Sequence, residues 1–189
     1  MTMCGEVGRE MSRYVRWTRT ERSARTRVAV VLLLGPVFLG VLPSVVAGIG
    51  PRLDRRLGLP PLGIGAAGRV LGAVLAAAGF SLGIWSVRTQ LDRGRGTPLP
   101  VMPTRELITD GPFRYCRNPM TLGTIMAYAG IAFAARTVAG LALVLSLAAA
   151  LLTYLKCLEE RELAERFGEP YLAYRRATPF IVPRLSRCR

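Results

Sequence analysis

The sequence predicts an all-α integral membrane protein with four transmembrane helices and a cytosolic C-terminal helix. The chain has 189 residues, with 26 Lys+Arg against 12 Asp+Glu, yet its mean hydropathy is positive, +0.32. A soluble protein with this excess of basic residues would be hydrophilic on average, so the apolar and basic residues must occupy different parts of the chain. Four apolar stretches have about the length that a helix needs to cross a bilayer, roughly 20 residues. This segregation argues against nucleic-acid binding, and no nucleic-acid partner is expected.

The four predicted spans come in two pairs, at 28–50, 70–87, 119–135 and 137–155. The first contains no charged residue, and Pro36 and Pro43 are expected to kink it. Only Arg136 separates the third span from the fourth. A single helix over both, roughly 36 residues, would be about 54 Å long against a hydrocarbon core of about 30 Å. We therefore predict a helical hairpin here.

The basic residues predict the orientation of the chain. Seven lie in 1–27, six in 88–118 and eight in 156–189, whereas the opposite side holds five. By the positive-inside rule, both termini are expected in the cytosol. The 25 Arg against one Lys, with abundant Ala and Gly, indicate a GC-rich bacterial genome and hence the bacterial inner membrane. The basic region before the first span is too long for the n-region of a signal peptide, so we expect it to be retained.

These features divide the chain into a basic cytosolic tail (1–27), a first pair of transmembrane helices (28–92) and a C-terminal region (93–189). The chain has no His, which excludes His-based acid–base chemistry and His-ligated metals. Its four Cys are far apart and form no CxxC pair, so neither a zinc site nor a disulfide framework is indicated. We expect no bound metal.

The connection over 93–123 holds too many apolar residues for a solvated linker and too many Gly and Pro for a long helix. We expect it to form a wall of a ligand pocket, because irregular backbone at membrane depth must be buried in protein or line a cavity. Within it, Asn118 and Pro119 are a typical helix start. The same geometry presents free amide groups and the positive end of a helix dipole beside Arg117, which suits a carboxylate or phosphate. Both interpretations can hold together.

The fourth span continues into an amphipathic helix, which Gly168 and Pro170 are expected to end. Glu159 and Glu160 lie near the membrane interface at its start. Two adjacent carboxylates here are either a solvated turn outside the bilayer or anchors for the amine or hydroxyl groups of a ligand. Spacing alone leaves both interpretations open.

Two motifs resemble one enzyme superfamily. GPFRYCRNPMTLG (111–123) and, after one hairpin, EERELAERFGEPYLAY (159–174) are similar to the paired signatures of the isoprenylcysteine carboxyl methyltransferase and phospholipid methyltransferase superfamily. The similarity covers about 93–185, and GRGTPLP at 94–100 also resembles bacterial members. Members are integral membrane enzymes. The resemblance implies that 93–189 is a methyltransferase-like region with a cytosol-facing pocket for S-adenosylmethionine.

The resemblance also implies site residues, carried over position by position. The positions that match are, in the first motif, Gly111, Pro112, Arg117, Pro119 and Gly123 and, in the second, Glu159, Glu160, Leu163, Phe167, Gly168, Tyr171 and Tyr174. Asn118 and Thr121 depart from the pattern, which often has His and Tyr there.

From these matches we expect a cofactor site with two charged anchors. Glu159 and Glu160 are assigned to the amino or ribose hydroxyl groups of the cofactor. Arg117 and the amides from Asn118 to Met120 are assigned to its carboxylate. Glu160 and Arg117 are also the candidate catalytic residues. The cofactor site is completed by the small and rigid residues of the first motif: Gly111, Pro112, Pro119 and Gly123.

The methyl acceptor is expected to be lipophilic, with Tyr171 and Tyr174 as its binding residues. Methyl transfer from a sulfonium is an in-line displacement that mainly requires alignment and a preorganised electrostatic environment. A carboxylate nucleophile needs no base at neutral pH, which favours O-methylation of an isoprenoid-like or other lipid acid. A phospholipid amine is the alternative, and it must first lose a proton to Glu160 or to one of these tyrosines. The acceptor is expected to arrive from the bilayer between the second and third spans.

The rival interpretation is a non-catalytic membrane protein that keeps the scaffold, supported only by the departures at Asn118 and Thr121. A nicotinamide-dependent reductase is disfavoured, because no dinucleotide-binding glycine motif lies between a strand and a helix. Gly72, Ala76 and Gly79 in the second span allow close helix packing, either within one subunit or between two.

Overall fold

The structure, a computed structural model, confirms the all-α fold and describes residues 29, 32–63, 65–93 and 106–184. Within these residues there is no β-strand. The main helices are α1 (Leu32–Leu57), α2 (Gly65–Arg93), α3 (Pro119–Ala134), α4 (Val138–Phe167) and α5 (Glu169–Ala177). Helices α1, α2 and α4 are apolar and long enough to cross a membrane, and α3 is a shorter apolar helix. The predicted tail at 1–27 and the GRGTPLP segment at 94–100 lie outside the described residues.

Helix α2 extends beyond its predicted span at both ends, and α1 and α4 extend beyond theirs at the C-terminal end, into charged residues. Helix α1 runs to Leu57 and ends at Gly58, whose φ of +66° is left-handed. The predicted hairpin is confirmed, with Arg136 at φ +55° in the turn between α3 and α4. The Arg136 Nε donates to the Leu62 carbonyl at 3.1 Å, and the Leu62 N–H donates to the Arg136 carbonyl at 3.0 Å. These bonds attach the hairpin turn to the connection between α1 and α2.

The two prolines expected to kink α1 flank a π-helical turn, Val37–Val41. In this turn the Leu42 N–H donates to the Val37 carbonyl, five residues earlier. The same register would pair the Phe38 carbonyl with Pro43, which has no N–H. The Tyr128 hydroxyl of α3 supplies the missing donor at 2.7 Å. The π-helical turn therefore fixes α1 against α3.

Helices α2 and α3 pack backbone to backbone through glycines. A Cβ on Gly79 would lie 2.4 Å from the Ala127 nitrogen, and a Cβ on Gly72 would lie 2.6 Å from the Gly130 carbonyl oxygen. A Cβ on Gly130 would lie 2.5 Å from the Ala76 nitrogen. The small residues of the second span therefore serve packing within one subunit.

This crossing overturns the expected route for the methyl acceptor. Helices in such contact leave no passage between them at these levels, so arrival between the second and third spans is wrong. Helix α4 packs on α3 and α1, and α2 and α4 share no extensive contact in the described part of the chain.

A buried carboxylate of α1 caps the first turn of α4. Asp54 is 7% exposed and accepts hydrogen bonds from the Val138 N–H at 3.1 Å and the Ala139 N–H at 2.8 Å. The Thr137 hydroxyl accepts from the Gly140 N–H at 3.0 Å. The first amides of a helix have no partner within it, so these contacts satisfy α4 and hold α1 beside it.

Gly79→Ala should destabilise the protein, because the new methyl group would overlap the Ala127 backbone. Overpacking of this kind costs about 1–3 kcal/mol, so the melting temperature in detergent should fall. Gly83→Ala is the matched control on the same helix, since a Cβ there meets nothing within 4 Å. Equal melting temperatures for the two variants would contradict the backbone contact.

Asp54→Ala should lower the free energy of unfolding by about 1–3 kcal/mol, because it leaves two buried amides of α4 unpaired. Asp54→Asn keeps one acceptor oxygen and should lose less. Arg55→Ala changes the exposed neighbouring residue and serves as the control. Thermal unfolding in detergent measures all three. A loss for Asp54→Ala no larger than that for Arg55→Ala would refute the cap.

Candidate active site

A cavity of about 70 Å³ lies where the end of α2, the loop before α3, the C-terminal part of α4, and α5 meet. Its lining residues are Gln90, Leu107, Ile108, Phe113, Arg117, Asn118, Leu155, Glu159, Glu160, Leu163, Tyr171 and Tyr174. The walls combine apolar side chains with a small number of charged and polar groups. Small-molecule sites commonly show this mixture.

A tight turn places the loop against α2. Gly111 has a φ of +57°, a left-handed conformation that favours glycine. A Cβ at this position would also lie 3.2 Å from the Thr89 side chain. A short 3-10 helix, Gly111–Arg114, follows, with Pro112 and Phe113 buried. The loop therefore reaches the cavity with a fixed backbone.

Helix α5 and the segment after it contact this loop. The Tyr174 hydroxyl donates to the Phe113 carbonyl at 2.7 Å. The backbone N–H of Arg117 donates to the Pro179 carbonyl at 2.9 Å, and the Asn118 side-chain amide donates to the Phe180 carbonyl at 3.0 Å. The Tyr174 bond joins the two sequence motifs, and the other two bonds join the first motif to the segment that follows the second.

Arg117 and Glu160 form a buried ion pair between the loop and α4. Arg117 Nη1 and Glu160 Oε1 are 2.5 Å apart, with 12% and 8% of the two side chains exposed. Apart from this contact, neither atom has a hydrogen-bond partner among the described residues. Arg175 Nε lies 3.8 Å from the other Glu160 oxygen. The Glu160 carboxylate is therefore held between two guanidinium groups.

The polar atoms of the cavity include unsatisfied donors and acceptors. In the described residues, four buried side-chain atoms lack a hydrogen-bond partner: Gln90 Oε1, Arg117 Nε, Arg117 Nη1 and Glu160 Oε1. All belong to residues that line this cavity. Buried polar groups are normally hydrogen-bonded, and exceptions gather at functional sites. Their concentration in one cavity indicates a binding site.

The structure divides the predicted site residues into two groups. Those that line the cavity are Arg117, Asn118, Glu159, Glu160, Tyr171 and Tyr174. Those that do not line it are Gly111, Pro112, Pro119, Met120 and Gly123. Gly123 packs on α2, where a Cβ would lie 2.7 Å from the Gly79 carbonyl oxygen. In this structure the small and rigid residues of the first motif shape the scaffold around the cavity.

The start of α3 offers fewer free amides than expected. Asn118 occupies the N-cap position, but its side chain makes no cap hydrogen bond and binds Phe180 instead. Its backbone N–H donates to the Cys116 thiol, and Pro119 has no N–H. Of the amides from Asn118 to Met120, only that of Met120 is left for an anion. Arg117 is therefore the main group that could hold a carboxylate.

The two tyrosines of the cavity are neutral donors. Burial raises the pKa of the Tyr171 hydroxyl, with a further rise from the Glu160 charge, and burial also raises the pKa of Tyr174. Both stay protonated at physiological pH. The Tyr174 hydroxyl is already engaged with Phe113. Neither tyrosine is suited to remove a proton, which leaves Glu159 as the cavity carboxylate outside the ion pair.

Sequence patterns missed several lining residues, above all Gln90. It is the only glutamine of the chain and lies near the end of an apolar helix, outside both motifs. The position of a polar residue in the last turns of a span was the one available signal. The apolar wall is made by Leu107 and Ile108 of the loop, which was expected to form a wall of a pocket, and by Leu155 and Leu163 of α4, of which Leu163 matches the second motif.

Comparison with known proteins gives one match. A family model described as phospholipid methyltransferase matches residues 67–170, more than half of the chain. The matched region contains most of α2, the loop, α3 and α4, which together form most of the cavity. No curated protein and no solved structure matches the chain.

Proposed function

Because this chain belongs to the phospholipid methyltransferase family, a family of membrane methyltransferases that act on lipid-type substrates, we propose that it transfers a methyl group from S-adenosylmethionine to a lipophilic acceptor. The observation that carries the proposal is the set of unsatisfied buried polar atoms on Gln90, Arg117 and Glu160 around one cavity. The family match supports the reaction class, and these atoms support the place where it occurs.

The polar groups of the cavity fit the amino acid end of the cofactor. Arg117 Nε is a buried donor without a hydrogen-bond partner in the structure and suits the carboxylate. Glu160, whose Oε1 forms the ion pair with Arg117 Nη1, offers negative charge to the ammonium group. The cavity of about 70 Å³ is smaller than the roughly 300 Å³ at the lower end of small-molecule sites. It therefore takes one end of the cofactor, and the remainder lies outside it.

When bound, S-adenosylmethionine supplies a methyl group on a cationic sulfonium. The chain must then orient the reactants and keep water away from them, since in-line methyl transfer mainly requires alignment. Glu160, fixed by Arg117 and Arg175, presents a negative charge whose position does not change during the reaction. Such preorganised charge is effective in an apolar surrounding.

The favoured acceptor is the carboxylate of an isoprenoid-like or other lipid acid. It is already a nucleophile at neutral pH and needs no base. This suits a cavity in which both tyrosines are protonated and Glu160 is paired. The second candidate is a phospholipid amine, favoured by the family match and by Glu159, which lines the cavity and could accept the proton.

We expect the acceptor to reach the cavity between α2 and α4. Both helices line it, through Gln90 on one side and Leu155 and Leu163 on the other. The described residues of α2 and α4 make no extensive contact, in contrast to the close crossing of α2 and α3. The leucines offer an apolar surface for the chain of a lipid.

Glu160→Gln and Arg117→Ala should each weaken S-adenosylmethionine binding about tenfold or more, because each removes a charged hydrogen-bonding partner. Calorimetry on the detergent-purified protein measures the affinity. Glu169→Gln is the matched control, since its carboxylate is exposed on α5 and pairs with Arg176.

Breaking a buried ion pair can unfold a protein, so each variant is first checked by its melting temperature. Glu159→Gln changes a lining carboxylate outside the pair and gives a second test. Unchanged affinity in folded Glu160→Gln would contradict the assigned role. A folded wild-type protein that binds no cofactor in detergent or in lipid would favour the non-catalytic scaffold.

Incubation with methyl-labelled S-adenosylmethionine should label farnesoic acid, an isoprenoid acid, rather than phosphatidylethanolamine. The expected product is a methyl ester, which alkali hydrolyses, whereas an N-methyl group resists alkali. The rate should vary little above pH 6, since a carboxylate is already ionised. Alkali-stable label on phosphatidylethanolamine would establish the amine instead. Label on water-soluble acceptors alone would contradict a lipophilic substrate.

A further inference from the structure

Gln90 lies on the face of α2 that packs against α3. Gly79, Gly83, Ser86 and Gln90 follow one another at spacings of four, three and four residues, which places them on one side of a helix. Gly79 and Gly83 contact the backbone of α3. Ser86 is fully buried, and its hydroxyl donates to a carbonyl of its own helix. Along this side of the helix Gly79 and Ser86 are buried, whereas Gly83 and Gln90 are half-buried.

Helix α2 continues past the point where α3 begins. A Cβ on Gly123 would lie 2.8 Å from the Gly83 nitrogen, so these two residues are opposite each other. From Gly83 to Gln90 is seven residues, about 10.5 Å of helix, whereas from Gly123 back to Pro119 is four residues, about 6 Å. Helix α3 thus begins about 4.5 Å short of Gln90, whose side chain lines the cavity instead.

The side-chain oxygen of Gln90 is buried and has no partner in the protein. Arg117 and Glu160, which line the same cavity, carry the other buried atoms without a hydrogen-bond partner, two of which contact each other in the ion pair. We propose that Gln90 is a ligand-binding residue whose Oε1 accepts a hydrogen bond from an N–H or O–H group of the cofactor or of the methyl acceptor. This inference rests on the proposed function and adds a third polar contact, from α2, to those of the loop and α4.

The chemistry of the oxygen restricts what it can bind. A carbonyl oxygen accepts hydrogen bonds and does not donate them, so it offers nothing to an ionised carboxylate. If the acceptor is a lipid acid, the hydrogen-bond donor to Gln90 Oε1 must come from the cofactor, which carries ammonium, hydroxyl and amino groups. A lipid amine could supply the donor itself. The group that donates a hydrogen bond to Gln90 therefore indicates whether the methyl acceptor is a lipid acid or a lipid amine.

The test compares Gln90→Met, which keeps the length of the side chain and removes the acceptor, with Gln90→Glu, which keeps an acceptor oxygen. Asp92→Asn is the control, because Asp92 is exposed near the same end of α2 and does not line the cavity. Calorimetry gives the Kd for S-adenosylmethionine, and labelled methyl transfer gives the KM for farnesoic acid and phosphatidylethanolamine. Melting temperatures establish that each full-length variant is folded.

Gln90→Met should raise one of these constants about tenfold, while Gln90→Glu and Asp92→Asn stay within about threefold of wild type. A raised Kd identifies the cofactor as the donor. A raised KM with unchanged Kd identifies the acceptor. Unchanged constants in Gln90→Met, or equal losses in Gln90→Glu, would overturn the inference while wild-type binding still supports the proposed function. A wild-type protein that binds no cofactor overturns both.

Discussion

The backbone contact between α2 and α3 is the constraint on which the cavity depends. Lipid is as apolar as a leucine side chain, so helices in a bilayer associate through close packing and not through the exclusion of water. Glycines at 72, 79, 123 and 130 allow this packing and leave the two helices in one axial register. Because Gly83 is opposite Gly123, α2 extends well beyond the start of α3. That overhang is one wall of the cavity.

The irregular backbone of the loop beside the projecting end of α2 needs hydrogen-bond partners. The loop before α3 supplies the second wall. Tyr174 of α5 donates to its Phe113 carbonyl, and the Pro179 carbonyl after α5 accepts from its Arg117 N–H. Arg117 then meets Glu160 of α4 inside the structure. A buried ion pair contributes little to stability after its desolvation cost. Here the ion pair fixes the position of the loop relative to α4. It also leaves Arg117 Nε without a hydrogen-bond partner and able to bind a ligand.

The sequence predicted the features that local patterns determine. The lengths of the apolar stretches predicted the spans, and the single Arg136 between two of them predicted the hairpin. Gly168, at φ +61°, ends α4 as expected. Pro170 was expected to end the same helix, which stops at Phe167. In the structure Pro170 lies in the first turn of α5, a position that suits proline. The paired motifs brought Arg117 and the glutamates together correctly.

Features that depend on the relation between helices were outside the reach of those patterns. Gly79 could have faced another subunit or another helix of the same chain, and that choice decides whether a route between the second and third spans exists. Gln90 lines the cavity because α2 extends beyond the start of α3. The residue spacing within α2 does not predict this offset. Asn is a preferred N-cap residue, yet the side chain of Asn118 makes no cap hydrogen bond. It donates instead to the Phe180 carbonyl, 62 residues away in the chain.

The distribution of charge in the cavity bears on the reaction as well as on binding. Transfer of a methyl group from a sulfonium to a carboxylate consumes one positive and one negative charge, whereas transfer to a neutral amine only moves a positive charge. A surrounding of low polarity strengthens the attraction between opposite charges, so it favours the first reaction more than the second. Leu155 and Leu163 make such a surrounding beside the fixed charge of Glu160. In the proposed reaction, the apolar wall that would accept a lipid chain would thus also favour an acid as the group at its end.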